Sequence, residues 1–70
     1  MRTREEVIKH FTYHPPVGDQ AERYEKIRTA AREFALIVFD LMPECPDRTV
    51  AMRQLNEAVM AMNQTIACNE

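Results

Sequence analysis

The sequence predicts an all-α protein in which a short N-terminal helix is followed by a long antiparallel helical hairpin. Two segments place apolar residues at alternating spacings of three and four, which is the pattern of helices that bury one side. The four prolines stand at positions 15, 16, 43 and 46, and proline cannot continue through a helix interior. The single glycine and the absence of tryptophan leave little material for β-hairpins. We therefore expect one helical domain spanning residues 1–70.

The first two helices begin at capping signals. Thr3, with Glu6 three residues later, predicts a short helix over residues 3–10. Asp19 and Glu22 have the same spacing, so they predict a capping box at the start of a helix that runs to about Met42. The predicted contact side of this long helix consists of Tyr24, Ile27, Ala31, Phe34, Val38 and Leu41.

The second half of the hairpin follows a short turn at residues 43–45. Pro46 suits the first position of a helix, where its missing N–H is not needed, and Asp47 complements the helix dipole. The predicted contact side of this helix consists of Met52, Leu55, Val59, Met62 and Ile66. Two helices joined by so short a turn pack against each other in opposite directions.

The hairpin leaves apolar side chains without a partner. Hydrophobic residues make up 46% of the chain, and residues 34–39 are apolar without interruption. A two-helix hairpin can bury only one side of each helix, and a domain of this size has little core of its own. These faces predict a homo-oligomer, with ligand sites that lie between chains.

The charge distribution favours an anionic ligand but not DNA. The formal net charge is −2, which disfavours a general DNA-binding protein. Residues 1–32 carry a net charge of +2, whereas residues 33–70 carry −4, so an anion is drawn to the N-terminal half. No apolar run is long enough to cross a bilayer, which predicts a cytoplasmic protein with no membrane partner. Cys45 and Cys68 fall near opposite ends of one helix and are expected to stay reduced.

The sequence offers little for catalysis, and we expect neither an enzyme nor a bound cofactor or metal. There is no serine, and neither cysteine has a histidine close in sequence. His10 and His14 have the four-residue spacing of two metal ligands on a helix, but Pro15 disfavours a helical backbone at His14. A metal-dependent phosphodiesterase that uses these histidines with Asp19 remains the enzyme alternative.

The segment around the double proline favours ligand binding. Pro15 and Pro16 make the chain stiff and extended, so Phe11 and Tyr13 are expected on an exposed segment rather than on a helix face. An exposed tyrosine ring can stack on a nucleobase. The alternative role for Tyr13 is a lid over the open end of the hairpin.

Two arginines are the candidate phosphate ligands. Arg28 and Arg32 lie one turn apart on the same side of the long helix, and guanidinium groups bind phosphate through paired hydrogen bonds. The alternative roles are surface salt bridges, between Arg28 and Glu25 and between Arg32 and Glu33.

The chain resembles a family of small phage anti-defence proteins, the anti-CBASS cyclic-nucleotide sponges, whose helical-hairpin domain is shared with the anti-Thoeris sponges. The resemblance covers nearly all of the chain after about Lys9. Its most specific part joins F-T-Y-x-P-P to R-Y-x-x-I-R within the segment FTYHPPVGDQAERYEKIR, and it continues in the tail AVMAMNQTIACNE.

The resemblance implies a binding function. Members of the family form homohexamers that capture cyclic nucleotide immune messengers without cleaving them, so that the effector stays inactive. It implies that this chain binds cyclic dinucleotides such as cyclic GMP–AMP in the host cytoplasm. Tyr13 would stack on a base, Arg28 would contact phosphate, and Phe11, His14 and Pro15 would form the pocket walls.

One position departs from the family pattern. Members often end in A-I-A-R-N, and the arginine is linked to a second site for cyclic trinucleotides, whereas this chain has Cys68 there. A thiol cannot replace a guanidinium as a phosphate donor, so the resemblance supports the dinucleotide site alone. The alternative function from the interaction class is a helical oligomeric module that binds a host protein through its unpartnered apolar surface.

Overall fold

The computed structural model describes residues 2–70, which form helices and the segments that connect them. These residues form three α-helices, which are α1 (Arg4–His10), α2 (Gln20–Leu41) and α3 (Pro46–Asn69). Residues 11–19 connect α1 to α2, and residues 42–45 form the turn of the hairpin. The all-α prediction, with a short first helix and a long hairpin, is therefore confirmed for the single chain.

The helices lie side by side with α3 in the middle. α2 packs against α3 along the hairpin, and α1 packs against α3 without contacting α2. The chain is correspondingly flat, since its extents are 42 × 28 × 13 Å and the smallest is less than half of the next. Residues 11–19, which we call the aromatic loop, carry the chain from one side of α3 to the other.

The helix starts agree only partly with the predicted capping boxes. The Thr3 hydroxyl accepts the Glu6 N–H at 3.1 Å, as predicted, but the Glu6 carboxylate accepts the Arg2 N–H instead of completing the box.

The prediction of a capping box at Asp19 is wrong. Asp19 has a backbone of φ −90° and ψ 9° rather than the extended conformation of a capping residue, and its side chain caps no N–H. Its carboxylate accepts from Arg23 instead, at 3.2 Å.

In the hairpin, the residues that face the partner helix recur with the period of a straight α-helix, which is 3.6 residues per turn. The predicted contact positions hold for most residues, but Phe34, Leu41 and Met62 are 56%, 77% and 50% exposed. The half-buried contact positions are Tyr24, Ile27, Ala31, Ala35 and Val38 on α2, Met42 directly after it, and Arg48, Met52, Leu55, Val59, Asn63 and Ile66 on α3. Each set spans 18 residues, which is five turns at 3.6 residues per turn, whereas the predicted pattern assumed the 3.5-residue period of a supercoiled pair.

The single chain leaves most of its side chains accessible to solvent. Among the described residues only Gln20, at 5% exposure, and Cys68, at 4%, are buried. The accessible surface is 5807 Å², whereas a compact protein of 8.2 kDa is expected to expose about 4,500 Å². The excess, roughly 1,300 Å², includes an apolar stripe formed by Phe34, Ile37 and Leu41 on one flank of α2. None of the described helices combines the length and apolar character that a bilayer span requires.

Candidate ligand-binding site

The aromatic loop presents two rings to solvent. α1 ends at His10, so Phe11 and Tyr13 lie outside the helix as predicted, and their exposures are 80% and 81%. At this exposure Tyr13 does not act as a lid over the end of the hairpin within one chain. Gly18 allows the loop to turn into α2, because its φ of +57° is a left-handed conformation that other residues rarely adopt.

The N-terminal end of the aromatic loop is fixed at the carbonyl of Lys9. The His14 Nε2–H donates to this oxygen at 2.7 Å, and the Cys68 thiol lies 3.8 Å from the same atom. The Phe11 N–H also donates to the Val7 carbonyl at 3.1 Å and closes the last turn of α1. One carbonyl oxygen therefore joins three segments, which are the last turn of α1, the start of the loop and the C-terminal turn of α3.

Both histidines have backbone partners. His10 donates through Nδ1 to the Glu6 carbonyl at 2.8 Å, and His14 donates to Lys9 as described. Within residues 2–70, no group of three or more His, Cys, Asp or Glu side chains is arranged to hold a metal ion. The half-buried His14 supports the loop from beneath, and Pro15 is exposed on the loop itself.

The C-terminal end of the aromatic loop is fixed by a polar cluster that the sequence patterns did not indicate. The buried Gln20 side chain accepts the Val17 N–H through Oε1 at 3.2 Å, and its Nε2 group donates to Glu70 at 3.5 Å. Arg23 donates to both carboxylate oxygens of Glu70, one of them at 2.7 Å. These hydrogen bonds lower the pKa of the Glu70 carboxyl, and the carboxylate raises the pKa of Arg23.

Arg28 and Arg32 lie on the flank of α2 opposite the apolar stripe. Arg28 is exposed and forms a salt bridge with Glu25 at 2.5 Å, which is the alternative role predicted for it from the sequence. An exposed ion pair of this kind contributes about 0–1 kcal/mol, so it does not prevent Arg28 from binding a phosphate. Arg32 forms no ion pair with Glu33 or with any other residue that the structure describes, and its guanidinium is exposed.

The two arginines border a shallow cavity of about 310 Å³ between α2 and α3. Most of its lining residues are apolar, and the polar Asn56 lines it from α3 while the arginines line it from α2. The remaining lining residues are Ala31, Ala35, Met52, Leu55 and Val59. An apolar lining beside two guanidinium groups suits a ligand that combines flat rings with phosphate groups.

One chain does not assemble all the predicted site residues. The cavity at Arg28 and Arg32 has no residue of the aromatic loop in its lining. Arg28 lies eight residues into α2 beyond Gln20, which is about 12 Å along the helix axis. Within the single chain, this cavity therefore brings the two arginines together without Tyr13.

Comparison with protein families gives one match. The model of a family described as Acb2/Tad1, hairpin domain, matches residues 4–67, which include α1, the aromatic loop, α2 and most of α3. The match ends one residue before Cys68. No curated protein and no solved structure matches the chain.

Proposed function

The chain belongs to the Acb2/Tad1 hairpin-domain family, the family of anti-CBASS and anti-Thoeris sponges, and on this premise we propose that it sequesters cyclic dinucleotide immune messengers. Cyclic GMP–AMP is the representative ligand. The protein binds the messenger without cleaving it, in the cytoplasm of an infected host, and so prevents activation of the CBASS effector. The observation that carries the proposal is the family match across residues 4–67, which include the aromatic loop, α2 and most of α3.

The exposed ring of Tyr13 supplies the base-stacking surface. Its exposure of 81% leaves nearly the whole ring free for a ligand, and stacking on an aromatic ring contributes about 1–3 kcal/mol per base. A cyclic dinucleotide has two bases, so tyrosines from two chains can each hold one. Phe11, His14 and Pro15 form the surrounding walls of this pocket.

The phosphates are bound by arginine from a neighbouring chain. Arg28 is the principal phosphate ligand and Arg32, one turn further along α2, is the secondary one. Charge-assisted hydrogen bonds to phosphate are about twice as strong as neutral ones, and they strengthen where chains exclude water. Stacking and phosphate contacts together support nanomolar affinity, about −12 kcal/mol, which sequestration at low messenger concentration requires.

Self-association supplies the second chain. The excess surface of roughly 1,300 Å² over a compact protein exceeds the ~800 Å² that each partner buries in an ordinary stable interface. The apolar stripe of Phe34, Ile37 and Leu41 is the surface we assign to this contact, and the family resemblance favours a hexamer. The stripe and the arginines lie on opposite flanks of α2, so assembly through the stripe leaves the arginines available to the ligand.

The positions of the histidines support binding rather than hydrolysis. His10 and His14 each donate a hydrogen bond to a backbone carbonyl in the described chain. Each ring keeps a second nitrogen that takes no part in these bonds, so the bonds alone do not decide against a metal ion. The support for binding is that, within residues 2–70, no group of three or more His, Cys, Asp or Glu side chains is arranged to hold one.

The decisive experiment is to mix the purified protein with cyclic GMP–AMP, remove free ligand, denature the protein and chromatograph what is released. We expect intact messenger in a fixed ratio to protein. Linear products would contradict the proposal and indicate a phosphodiesterase. If a wide panel of cyclic nucleotides gave no retained ligand, the alternative of a module that binds a host protein through its apolar surface would be favoured.

A further inference from the structure

The buried glutamine at the start of α2 has a role that no sequence pattern indicates. We propose that Gln20, Arg23 and Glu70 form a clasp that fixes the aromatic loop, and that Gln20 is the residue that positions Tyr13 for stacking. The contribution of the clasp to binding rests on the proposed function, whereas its effect on the order of the loop does not depend on any ligand.

Gln20 is the centre of the clasp because its burial and its hydrogen bonds occur together. Burying an amide side chain is unfavourable unless its polar atoms are satisfied. Here the oxygen accepts the Val17 N–H of the loop and the nitrogen donates to Glu70 in α3. The side chain therefore links the loop backbone to a residue 50 positions away, and it is the one buried polar side chain among residues 2–70.

Arg23 completes the clasp by fixing the carboxylate that Gln20 needs. Its guanidinium binds both oxygens of Glu70, and it also binds Asp19 at 3.2 Å. Paired hydrogen bonds fix the plane of a carboxylate as well as its position. Val17, Gln20, Glu70, Arg23 and Asp19 are thus joined in one network around the junction of the loop with α2.

The clasp matters for Tyr13 because the rest of the loop is stiff. Pro15 and Pro16 restrict the middle of the loop, and the Lys9 carbonyl fixes its beginning through His14. A stiff segment held at both ends has few orientations. When the side-chain bonds of the clasp are lost, the backbone bond from the Gln20 N–H to the Val17 carbonyl remains, but the loop is held less firmly at this end. It then has more orientations, and binding must also order the ring of Tyr13.

The test compares Gln20→Met with Gln64→Met in the full-length protein. Methionine keeps most of the buried volume of Gln20 and removes both of its hydrogen bonds, while Gln64 is exposed on α3 and serves as the matched control. Amide hydrogen exchange is measured without ligand, and affinity for cyclic GMP–AMP is measured separately. We expect Gln20→Met to raise exchange in residues 11–19 alone and to weaken binding about tenfold.

An exchange of side chains provides a rescue test. Gln20→Glu alone places two carboxylates side by side and is expected to weaken binding. Adding Glu70→Gln restores an amide opposite a carboxylate with the same total charge, but it leaves Arg23 a single acceptor oxygen at position 70, so the double variant is expected to recover part of the slow exchange and part of the affinity. A residue that acted only through buried volume would not be rescued in this way.

Each result decides the proposal. Unchanged exchange in residues 11–19 of Gln20→Met would overturn the clasp, and raised exchange with unchanged affinity would overturn its role in positioning Tyr13. If the unaltered protein retained no cyclic nucleotide, the proposed function and the positioning role would both fail. The exchange data would still show whether the clasp orders the loop.

Discussion

Replacing Tyr13 by alanine tests the base-stacking role of the aromatic loop. The ring is 81% exposed in the single chain, so its removal sacrifices little buried apolar surface. No other side chain in the described part of the chain depends on a hydrogen bond from Tyr13. We therefore expect Tyr13→Ala to fold and melt like the unaltered protein while it loses affinity for cyclic GMP–AMP.

The expected loss follows from the number of bases that are stacked. Each stacked base contributes about 1–3 kcal/mol, and one substitution removes the ring from both chains that line a two-chain site. The combined loss is about 2–6 kcal/mol, which corresponds to a decrease in affinity of roughly 30-fold to 10⁴-fold. A nanomolar binder would then become a binder in the range from tens of nanomolar to micromolar or weaker.

Isothermal titration calorimetry with cyclic GMP–AMP measures this loss, and thermal unfolding by circular dichroism checks the fold. Tyr13→Phe is the control, because it keeps the ring and removes only the hydroxyl, and we expect its affinity to stay within a few-fold of the original. Unchanged affinity in Tyr13→Ala would refute the reasoning. Equal losses in the alanine and phenylalanine variants would assign the effect to the hydroxyl and not to stacking.

Three further predictions test the phosphate contact, the assembly and the clasp. Arg28→Ala should weaken binding by about 1.5–3 kcal/mol and reduce the salt dependence of binding. Arg53→Ala is the control, because it removes an exposed arginine from α3, and it should change neither quantity. Equal effects of the two substitutions would contradict a specific phosphate contact. Phe34→Asp should reduce the mass measured by light scattering, because it places a charge in the apolar stripe, and an unchanged mass would remove the stripe from the interface. The hydrogen bonds from Arg23 lower the pKa of the Glu70 carboxyl in the folded protein. The ionised carboxylate therefore stabilises the fold at any pH above the ordinary carboxyl pKa of about 4.3. This stabilisation is lost as the pH falls through the lowered pKa of the folded protein. Melting temperatures from pH 7 to pH 3 should show this loss in the unaltered protein and less of it in Glu70→Gln.

The helical elements follow closely from the sequence, because proline positions and apolar spacing determine them locally. The start of α3 at Pro46 and the end of α2 at Leu41 lie within about a residue of their predicted places. The side of each helix that faces its partner was harder to predict. Phe34 and Met62 fit a 3.5-residue period, whereas Ala35 and Asn63 fit a 3.6-residue period. Over five turns this difference amounts to about half a residue, which is enough to exchange a contact position for its neighbour.

For the candidate site, the exposure of the residues could be predicted but their arrangement could not. The exposed ring of Tyr13 and the exposed arginines follow from proline stiffness and helix periodicity. The separation of Tyr13 from Arg28 depends on which side of α3 each helix occupies, and no local pattern contains that information. The burial of Gln20 is also non-local, because it depends on Glu70 at the far end of the chain, and the capping box predicted at Asp19 assigned the wrong partner to that carboxylate.

The central position of α3 has a consequence for how the protein is made. α1 and α2 do not contact each other, and both leave the ribosome before α3, the helix on which they pack. During synthesis the apolar sides of α2 therefore have no partner within their own chain, and neighbouring nascent chains or chaperones are the surfaces that they first meet. α3, the 24-residue helix that follows both, thus joins two otherwise separate segments into one structure once it has been translated.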